Sequence, residues 1–458
     1  MGVDRTRLPS LGPEPPFTFP DVRRRTLPNG LRVWTVEHHE VPVISVLLLT
    51  PVGAAADPQD RPGLAAITGD LLDEGCGDLS ALDVHEALGR IGAQLDTEVG
   101  ADATVLGLTM LARFADRGVE LLAEMVMRPR LEQREFDRVR ELRLNRLVQL
   151  RDMPPALADR VFVQLLYKTH PYGHLPIGSE GSLRAMTLRE VMAFHRRAYD
   201  PSRTTVIAVG DAPHDRLAEV IEGPFASWAA RAQPPAEQLP DPAAIPAPSP
   251  GVDRVAVVHR PGAAQSELRV GHVAAPRSTP DYHALLVMNT VLGGQFVSRV
   301  NMNLRENKGY TYGARTSFDF RRGPGPFVLQ PSVQSEVTAD ALREAHAELR
   351  AIRGERPVTR HELEVGRAAL TRGYPRSFET AEQIARGAAQ LALYDLPDDY
   401  FTTFVPRVLE VTEETATAAA AHHIDPSRLF TVVVGDREKV APALQRLELG
   451  TASEVSIA

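Results

Sequence analysis

The segment DPSRTTVIAVGD at residues 200–211 returns as DPSRLFTVVVGD at residues 425–436, with seven of twelve positions identical. The copies stand 225 residues apart, about half of a 458-residue chain. A period that long exceeds any solenoid or propeller unit, so the repeating object is a whole domain. Each copy is a polar turn followed by a short apolar run ending in Gly-Asp, the pattern of a buried strand. The elements ahead of the two copies come in a similar order.

In the first half, LPNGLRVWTVEH carries an Asn29-Gly30 hairpin signal before alternating strand residues. VISVLLLT is a second strand, LAAITGDLLDEG a helix ending at Gly75, and DLSALDVHEALGRIG a capped helix. GAQLDTEVGADATVLGLTML gives two further strands. A long charged helix, REFDRVRELRLNRLVQLRD, puts Phe136, Val139, Leu142, Leu147 and Leu150 on one face, and Pro154-Pro155 stop it. The helix LREVMAFHRRAY then leads into the first repeat strand. In the second half, SELRVGHVAA, GYTYGARTSFDF and GPFVLQPSVQ are strands, while DYHALLVMNTVLGG, RHELEVGRAALTRGY and TATAAAAHHI are helices. Between the halves, AARAQPPAEQLPDPAAIPAPSPG is too rich in proline for an element and reads as a semi-rigid linker. The expected organisation is an extension at 1–20, a first half at 21–228, a linker at 229–250 and a second half at 251–450. The fold class is α+β.

Hydrophobic residues at 43% and charged residues at 24% are the balance of a globular protein. A net charge of −8 gives no reason to expect a nucleic-acid partner. The apolar run near VPVISVLLLT is far shorter than a membrane span, so no membrane partner is expected. The opening residues lack an apolar h-region, which makes cytoplasmic the default location, with a periplasmic one if the start is truncated. MGVDRT fits a myristoylation pattern formally, and a six-residue match is taken as chance.

The inventory of chemistry is thin. His85-Glu86 and His361-Glu362 open H-E-x-x-H patterns, but Gly89 and Val365 stand at their fifth positions. His170 and His174 are separated by Pro171 and Gly173 in a turn, and His422-His423 read as surface polars on different helix faces. Cys76, the single cysteine, has no histidine near it in sequence, and no G-x-S-x-G elbow or phosphate loop exists. One stretch stands out: VLGGQFVSRVNMNLRENKGYTYGARTSF, residues 291–318. Arg305, on a polar helix closed by Gly309, and Tyr312, on the following strand, can converge to donate to one carbonyl oxygen. From the residues alone the preferred reading is the structural one, a solvated cation on a helix and a half-buried tyrosine on a strand.

LPNGLRVWTVE, PGLAAITGDLLDEG, HPYGHLPIGS, YDPSRTTVIAVGD and LGGQFVSRVNMNLRENKGYTYGARTSF together resemble, in order, the pitrilysin/insulinase zinc peptidases, in the branch of the mitochondrial processing peptidase and two-subunit bacterial relatives. The resemblance implies two homologous α/β sandwich halves of LuxS/metallohydrolase type, with two chains closing a chamber. Active members carry an inverted zinc motif, H-x-x-E-H, whose two histidines and a later glutamate bind the metal. Aligned on Gly63-Leu64-Ala65, the motif positions here are Ala66, Gly69 and Asp70, and the third ligand's place falls at Arg146. The resemblance therefore implies no metal and no cofactor in this chain. Asp96-Thr97 replace the Asn-Ala usual on the substrate strand. Arg305 and Tyr312 fall on the pair that holds substrate carbonyls and stabilises the tetrahedral intermediate. The implied function is a zinc-less subunit that lends this pair to a homologous zinc-bearing partner with an intact H-x-x-E-H motif, acting on a peptide. A non-enzymatic assembly protein, like the core proteins of a respiratory complex, is the alternative, and a peptide-binding homodimer is a third.

Overall fold

The computed structural model describes residues 17–230, 239–248, 254–447, 449 and 452–455. Strands β1 (Arg23–Thr26) and β2 (Arg32–Glu37) form the hairpin signalled by Asn29-Gly30, with Thr26 opposite Arg32 and Gly30 at φ +88°. They are followed by β3 (Val43–Thr50), the two-stranded ribbon β4 (Gly75–Cys76) and β5 (Leu79–Ser80), then β6 (Gln94–Val99), β7 (Thr104–Leu111) and β8 (Thr205–Gly210). The second half supplies β9 (Val255–His259), β10 (Gln265–Val273), β11 (Thr311–Phe318), β12 (Pro326–Gln334), β13 (Phe430–Gly435) and β14 (Ala452–Glu454). Two six-stranded mixed sheets result, ordered β1-β2-β8-β3-β7-β6 and β11-β12-β10-β13-β9-β14. Written in opposite directions, five strands correspond, β2-β8-β3-β7-β6 with β9-β13-β10-β12-β11, while the sixth differs: β1 is antiparallel to β2 and β14 is parallel to β9.

The repeat that opened the sequence sits at equivalent places in the two sheets. β8 runs antiparallel to β3 and parallel to β2; β13 runs antiparallel to β10 and parallel to β9. Both are introduced by the same turn. Asp200 Oδ1 accepts from the Ser202 amide at 2.9 Å, and Asp425 Oδ1 accepts from the Ser427 amide at 2.9 Å. An aspartate that bonds the backbone two residues on presets the turn, which is why Asp-Pro-Ser-Arg precedes both strands.

Each sheet is covered on both faces, so its central strands are apolar throughout rather than alternating. Alternate residues of the first sheet, Val33, Val46, Leu48, Val206 and Ala208, pack on helices of their own half. The opposite face, with Trp34, Val36, Leu47, Leu49, Ile207 and Val209, joins the second half's core. What covers it is the helix Ala381–Tyr394, lying across β3 and β8 with Ile384, Ala385, Ala388 and Leu391 buried. The exchange is reciprocal. The helix Pro154–Tyr167 leaves the first half to lie across β10 and β13, burying Leu157, Ala158, Val161 and Phe162 against Ala256, Val258, Val432 and Val434.

That helix corrects the reading of Pro154-Pro155 as only a stop. The charged helix ends at Arg151, and Pro154 then occupies the first turn of the next, where a missing N–H costs nothing. The buried face of the charged helix is Phe136, Val139, Leu144 and Leu147; Leu142 points to solvent. Of the expected extension and linker, residues 1–16, 231–238 and 249–250 lie outside the described residues. The described stretch 239–248 packs onto both halves, its Ile245 carbonyl 3.3 Å from His170 Nε2 and its Asp241 3.6 Å from Arg322. No helix among the described residues is long and apolar enough to cross a membrane.

Because each half supplies a face of the other's core, one cooperative unfolding transition is expected in calorimetry. Phe162→Ala should lower its free energy by about 3–5 kcal/mol without splitting it. A second expectation concerns acid. Burial, reinforced by Arg407, pushes the His283 imidazole down to about 4, and burial with Arg350 does the same to His346. The folded chain thus refuses protons that the unfolded chain accepts near pH 6.5. Stability is full above that pH and falls toward pH 4, by on the order of 2 kcal/mol per pH unit, or about 2 °C in Tm for a single transition of a chain this long. Melting curves between pH 4.5 and 7.5 should show this slope, and a His283→Leu/His346→Leu variant should flatten it.

Candidate functional site

The positions aligned with the metal motif lie on the helix Leu64–Asp70. Its start is fastened by Asp57, whose buried carboxylate accepts from the Gly63 and Ala65 amides at 2.7 Å each and from His174 Nε2 at 3.0 Å. His174 is therefore committed to anchoring this helix. Ala66 is buried at 2% exposure. Gly69 faces the strand β6, and a Cβ there would come within 3.0 Å of a Val99 methyl and 3.3 Å of a Thr97 methyl. Asp70 is taken up by Arg143, whose Nε donates to Oδ2 at 2.7 Å while Nη1 reaches the Pro176 carbonyl at 3.3 Å.

This changes the assignment of Arg146. It is exposed and bonds Gln149 on its own helix at 3.2 Å, so the cation against Asp70 is Arg143. The helix turns Arg143, Leu144 and Leu147 inward, and the register that decides this is set by packing. A zinc ion needs three protein donors of nitrogen, sulfur or carboxylate type in a closed or nearly closed shell. Here one carboxylate is available, already neutralised by a guanidinium, beside a methyl group and a filled glycine position. These residues do not fit zinc. Asp96, at the altered substrate strand, is drawn with Glu98 to Arg386 of the Ala381–Tyr394 helix at 3.2 and 3.1 Å.

Other candidates resolve into structural parts. Cys76 is fully buried, and burial together with the Glu124 carboxylate pushes its thiol up to about 11, far from a nucleophile's range. Glu362 caps its helix with Thr359 and takes a two-pronged bond from buried Arg299, 2.7 Å on each oxygen. Burial opposes its ionisation, yet Arg299 and the Thr359 cap outweigh it and hold the carboxyl down to about 2. His423 Nε2 lies 2.7 Å from Asp281 Oδ2, with exposed His422 at 3.6 Å. The two histidines converge on one carboxylate instead of diverging, and tie two helix ends together.

Arg305 and Tyr312 stand at the edge of the second sheet. Gly293 lets the 290–294 turn approach β11 closely, since a Cβ there would sit 2.4 Å from Thr316 Oγ1. Asn301 then couples the two segments, donating to the Phe296 carbonyl at 2.7 Å and accepting from the Ala314 amide at 3.0 Å. The Gly309 amide closes the helical turn on the Arg305 carbonyl at 3.0 Å, and the Tyr310 amide reaches Leu304 at 2.9 Å. The short connection leaves Arg305 and Tyr312 on adjoining elements. Arg305 lies over the Phe296 ring, 4.6 Å from its centroid, and pairs with Glu306 at 3.2 Å. Tyr312 is 87% exposed, beside an irregularity between Thr311 and Ala314 in the ladder with β12. Its hydroxyl has no hydrogen-bond partner among the described residues. A bulge of this kind re-aims a side chain out of the sheet. Asn289 adds to this by donating to the Thr316 carbonyl at 3.2 Å and accepting from its hydroxyl at 2.8 Å; neither Asn289 nor Asn301 carried a signal in the sequence.

Known proteins are consistent with both halves. The sequence model described as insulinase (peptidase family M16) matches residues 32–174, and the one described as peptidase M16 inactive domain matches residues 185–370. An uncharacterized zinc protease of Mycobacterium tuberculosis is 29% identical over 337 residues, which is 73% of this chain and 76% of that protein. The zinc protease PqqE of Helicobacter pylori is 26% identical over 330 residues, 69% of this chain and 72% of its own. Among solved structures, a protease from Helicobacter pylori has a TM-score of 0.85 at 22% identity, covering 91% of this chain and all of that one (100%). A peptidase M16 inactive domain from Pseudomonas fluorescens has a TM-score of 0.80 at 24% identity, covering 91% and 98%. With the two sequence models spanning both sheets in order, the chain belongs to the pitrilysin/insulinase family, peptidase family M16.

Proposed function

We propose that this chain is the zinc-less subunit of a two-chain metallopeptidase, closing a chamber with a homologous zinc-bearing partner that keeps an intact H-x-x-E-H motif. One contrast within the molecule carries the reading. Arg305 and the 87%-exposed Tyr312 are presented outward, while the positions aligned with a metal site are occupied by methyl groups and an Arg143–Asp70 pair. A hydroxyl kept exposed on a sheet edge serves nothing in its own fold. Relatives that bear the name zinc protease support a peptide as the substrate.

Under this reading the partner's zinc supplies the activated water. The work of this chain is to bind and orient. The Arg305 guanidinium and the Tyr312 hydroxyl donate to a peptide carbonyl oxygen, and both bonds strengthen as that oxygen gains charge. Arg305 is kept in place by its stacking on Phe296, and its helix by the buried Arg299–Glu362 bridge. Retention of the pair favours this reading over a purely structural subunit.

Elemental analysis of the purified chain should find no stoichiometric zinc. An Ala66→His/Gly69→Glu/Asp70→His variant should not gain it while Arg143 stays. A full equivalent of zinc in the unaltered chain would overturn the proposal. Mixed with a zinc-bearing homologue from the same genome, the chain should confer peptide cleavage that neither protein has alone. In that complex Tyr312→Phe should lower kcat by about 100-fold, as loss of an oxyanion donor does, with subunit affinity changed less than about threefold. An unchanged kcat would make the pair structural.

A further inference from the structure

Beside Arg305 the second sheet floors an open cleft of about 600 Å³. The sheet's alternation decides its lining. Ala314, Thr316, Leu329, Leu268 and Val270 point into the core, so Arg315, Gln330, Ser332, Glu267 and Arg269 point into the cleft. Three arginines, Arg269, Arg305 and Arg315, face one carboxylate, Glu267.

These charges are not equally free. Arg269 is buried at 4% exposure and fully engaged, with Asp159 at 2.5 Å and the Leu268 and Pro155 carbonyls at 2.9 and 3.1 Å. Glu267 lies 3.5 Å from the same guanidinium. Arg305 stacks on Phe296 and has its exposed neighbour Glu306 as ion-pair partner among the described residues. Arg315 has no hydrogen-bond or ion-pair partner among the described residues. It stands opposite Gln330 in the ladder, whose amide lines the same floor. The amino end of the Pro154–Tyr167 helix reaches the rim at Pro155 and adds its positive dipole end. The cleft thus carries one uncommitted guanidinium, a second with an exposed partner, and no uncommitted carboxylate.

We infer that this cleft selects acidic peptides, with Arg315 binding a substrate carboxylate side chain. The inference rests on the reading of Arg305 and Tyr312 as substrate-binding groups. The outer edge of β11 is taken by Asn301, which accepts from the Ala314 amide at 3.0 Å, and by Asn289, which donates to the Thr316 carbonyl at 3.2 Å, so the peptide lies extended across the cleft floor and is held by side chains. Arg315 follows Tyr312 by three residues, roughly 10 Å at the rise of a strand. The acidic side chain therefore falls within about three residues of the carbonyl that Tyr312 holds. Arginine suits this task because its planar fork matches both oxygens of a carboxylate.

The test uses the isolated chain and two fluorescein-labelled decapeptides that differ only in a central Glu or Gln, titrated by fluorescence anisotropy. The Glu peptide should bind about tenfold tighter at about 50 mM salt, and the gap should narrow at about 500 mM, where screening shortens. Arg315→Gln should remove the preference. Arg315→Glu should reverse it, so that a matched Lys peptide binds tighter than the Glu peptide. Equal affinity of the two peptides for the unaltered chain overturns the inference. So does a preference surviving Arg315→Gln, or no binding of either peptide up to about 1 mM. The assay needs no zinc-bearing partner. A Glu preference without cleavage by the mixed complex counts against the two-subunit reading alone, and cleavage of both peptides at equal rates counts against this one alone.

Discussion

The exchange of one helix between the halves is the constraint on which the rest of this structure depends. A mixed sheet with apolar residues on both faces has to be covered twice, and each half brings helices for only one side of its own sheet. Pro154–Tyr167 covers the second sheet and Ala381–Tyr394 covers the first, so neither half completes its core alone. Burying side chains such as Phe162 and Ile384 contributes roughly 1.5–3 kcal/mol each, far more than a surface ion pair would. The polar contacts follow this packing. Tyr172 donates to Asp102 at 2.5 Å and accepts from the Gly323 amide at 3.0 Å, while Asp102 also takes the Arg322 amide at 2.8 Å. The HPYGH segment, read from its histidines, contributes to the fold through its tyrosine and through His174.

Duplication of the sheet also explains how the two edges diverged. β6 and β11 hold equivalent positions at the ends of their sheets. On β6 the side chains of Asp96 and Glu98 are tied to Arg386, and Thr97 and Val99 close over Gly69. On β11 the irregular ladder leaves Tyr312 and Arg315 outward, beside Arg305. One edge is part of the packing between halves, and the other leaves Tyr312 exposed and Arg315 without a partner among the described residues. An edge strand is ordinarily a hazard for unwanted pairing, so a reactive-looking edge with a bulge and charges is also one protected from it.

Much of the framework was legible along the chain. Asn29-Gly30 announced the first hairpin, Ser80 with Asp83 capped its helix, and the two Asp-Pro-Ser-Arg turns led into equivalent strands. These are local effects, decided by residues within a few positions of one another. Where the reading missed, the deciding contact was distant. Pro154-Pro155 looked like an end because the helix they begin is needed only by the other sheet. Leu142 fitted an apolar stripe, but Leu144 is the one that meets the core.

The sequence by itself determined that the chain is a duplicated α+β protein, that Ala66 and Gly69 offer no metal ligand, and that an arginine and a tyrosine stand seven residues apart at Arg305 and Tyr312. Residue identity suffices for each of these, because a methyl group cannot bind a metal and a repeat is visible without coordinates. Only the tertiary structure decided that Arg143, and not Arg146, neutralises Asp70, and that Thr97 and Val99 crowd Gly69. It also decided that Arg269 is spent on Asp159 while Arg315 has no partner among the described residues. Charges and voids are defined by what lies across from them. That is set by how two sheets and their exchanged helices pack, at separations no local pattern encodes.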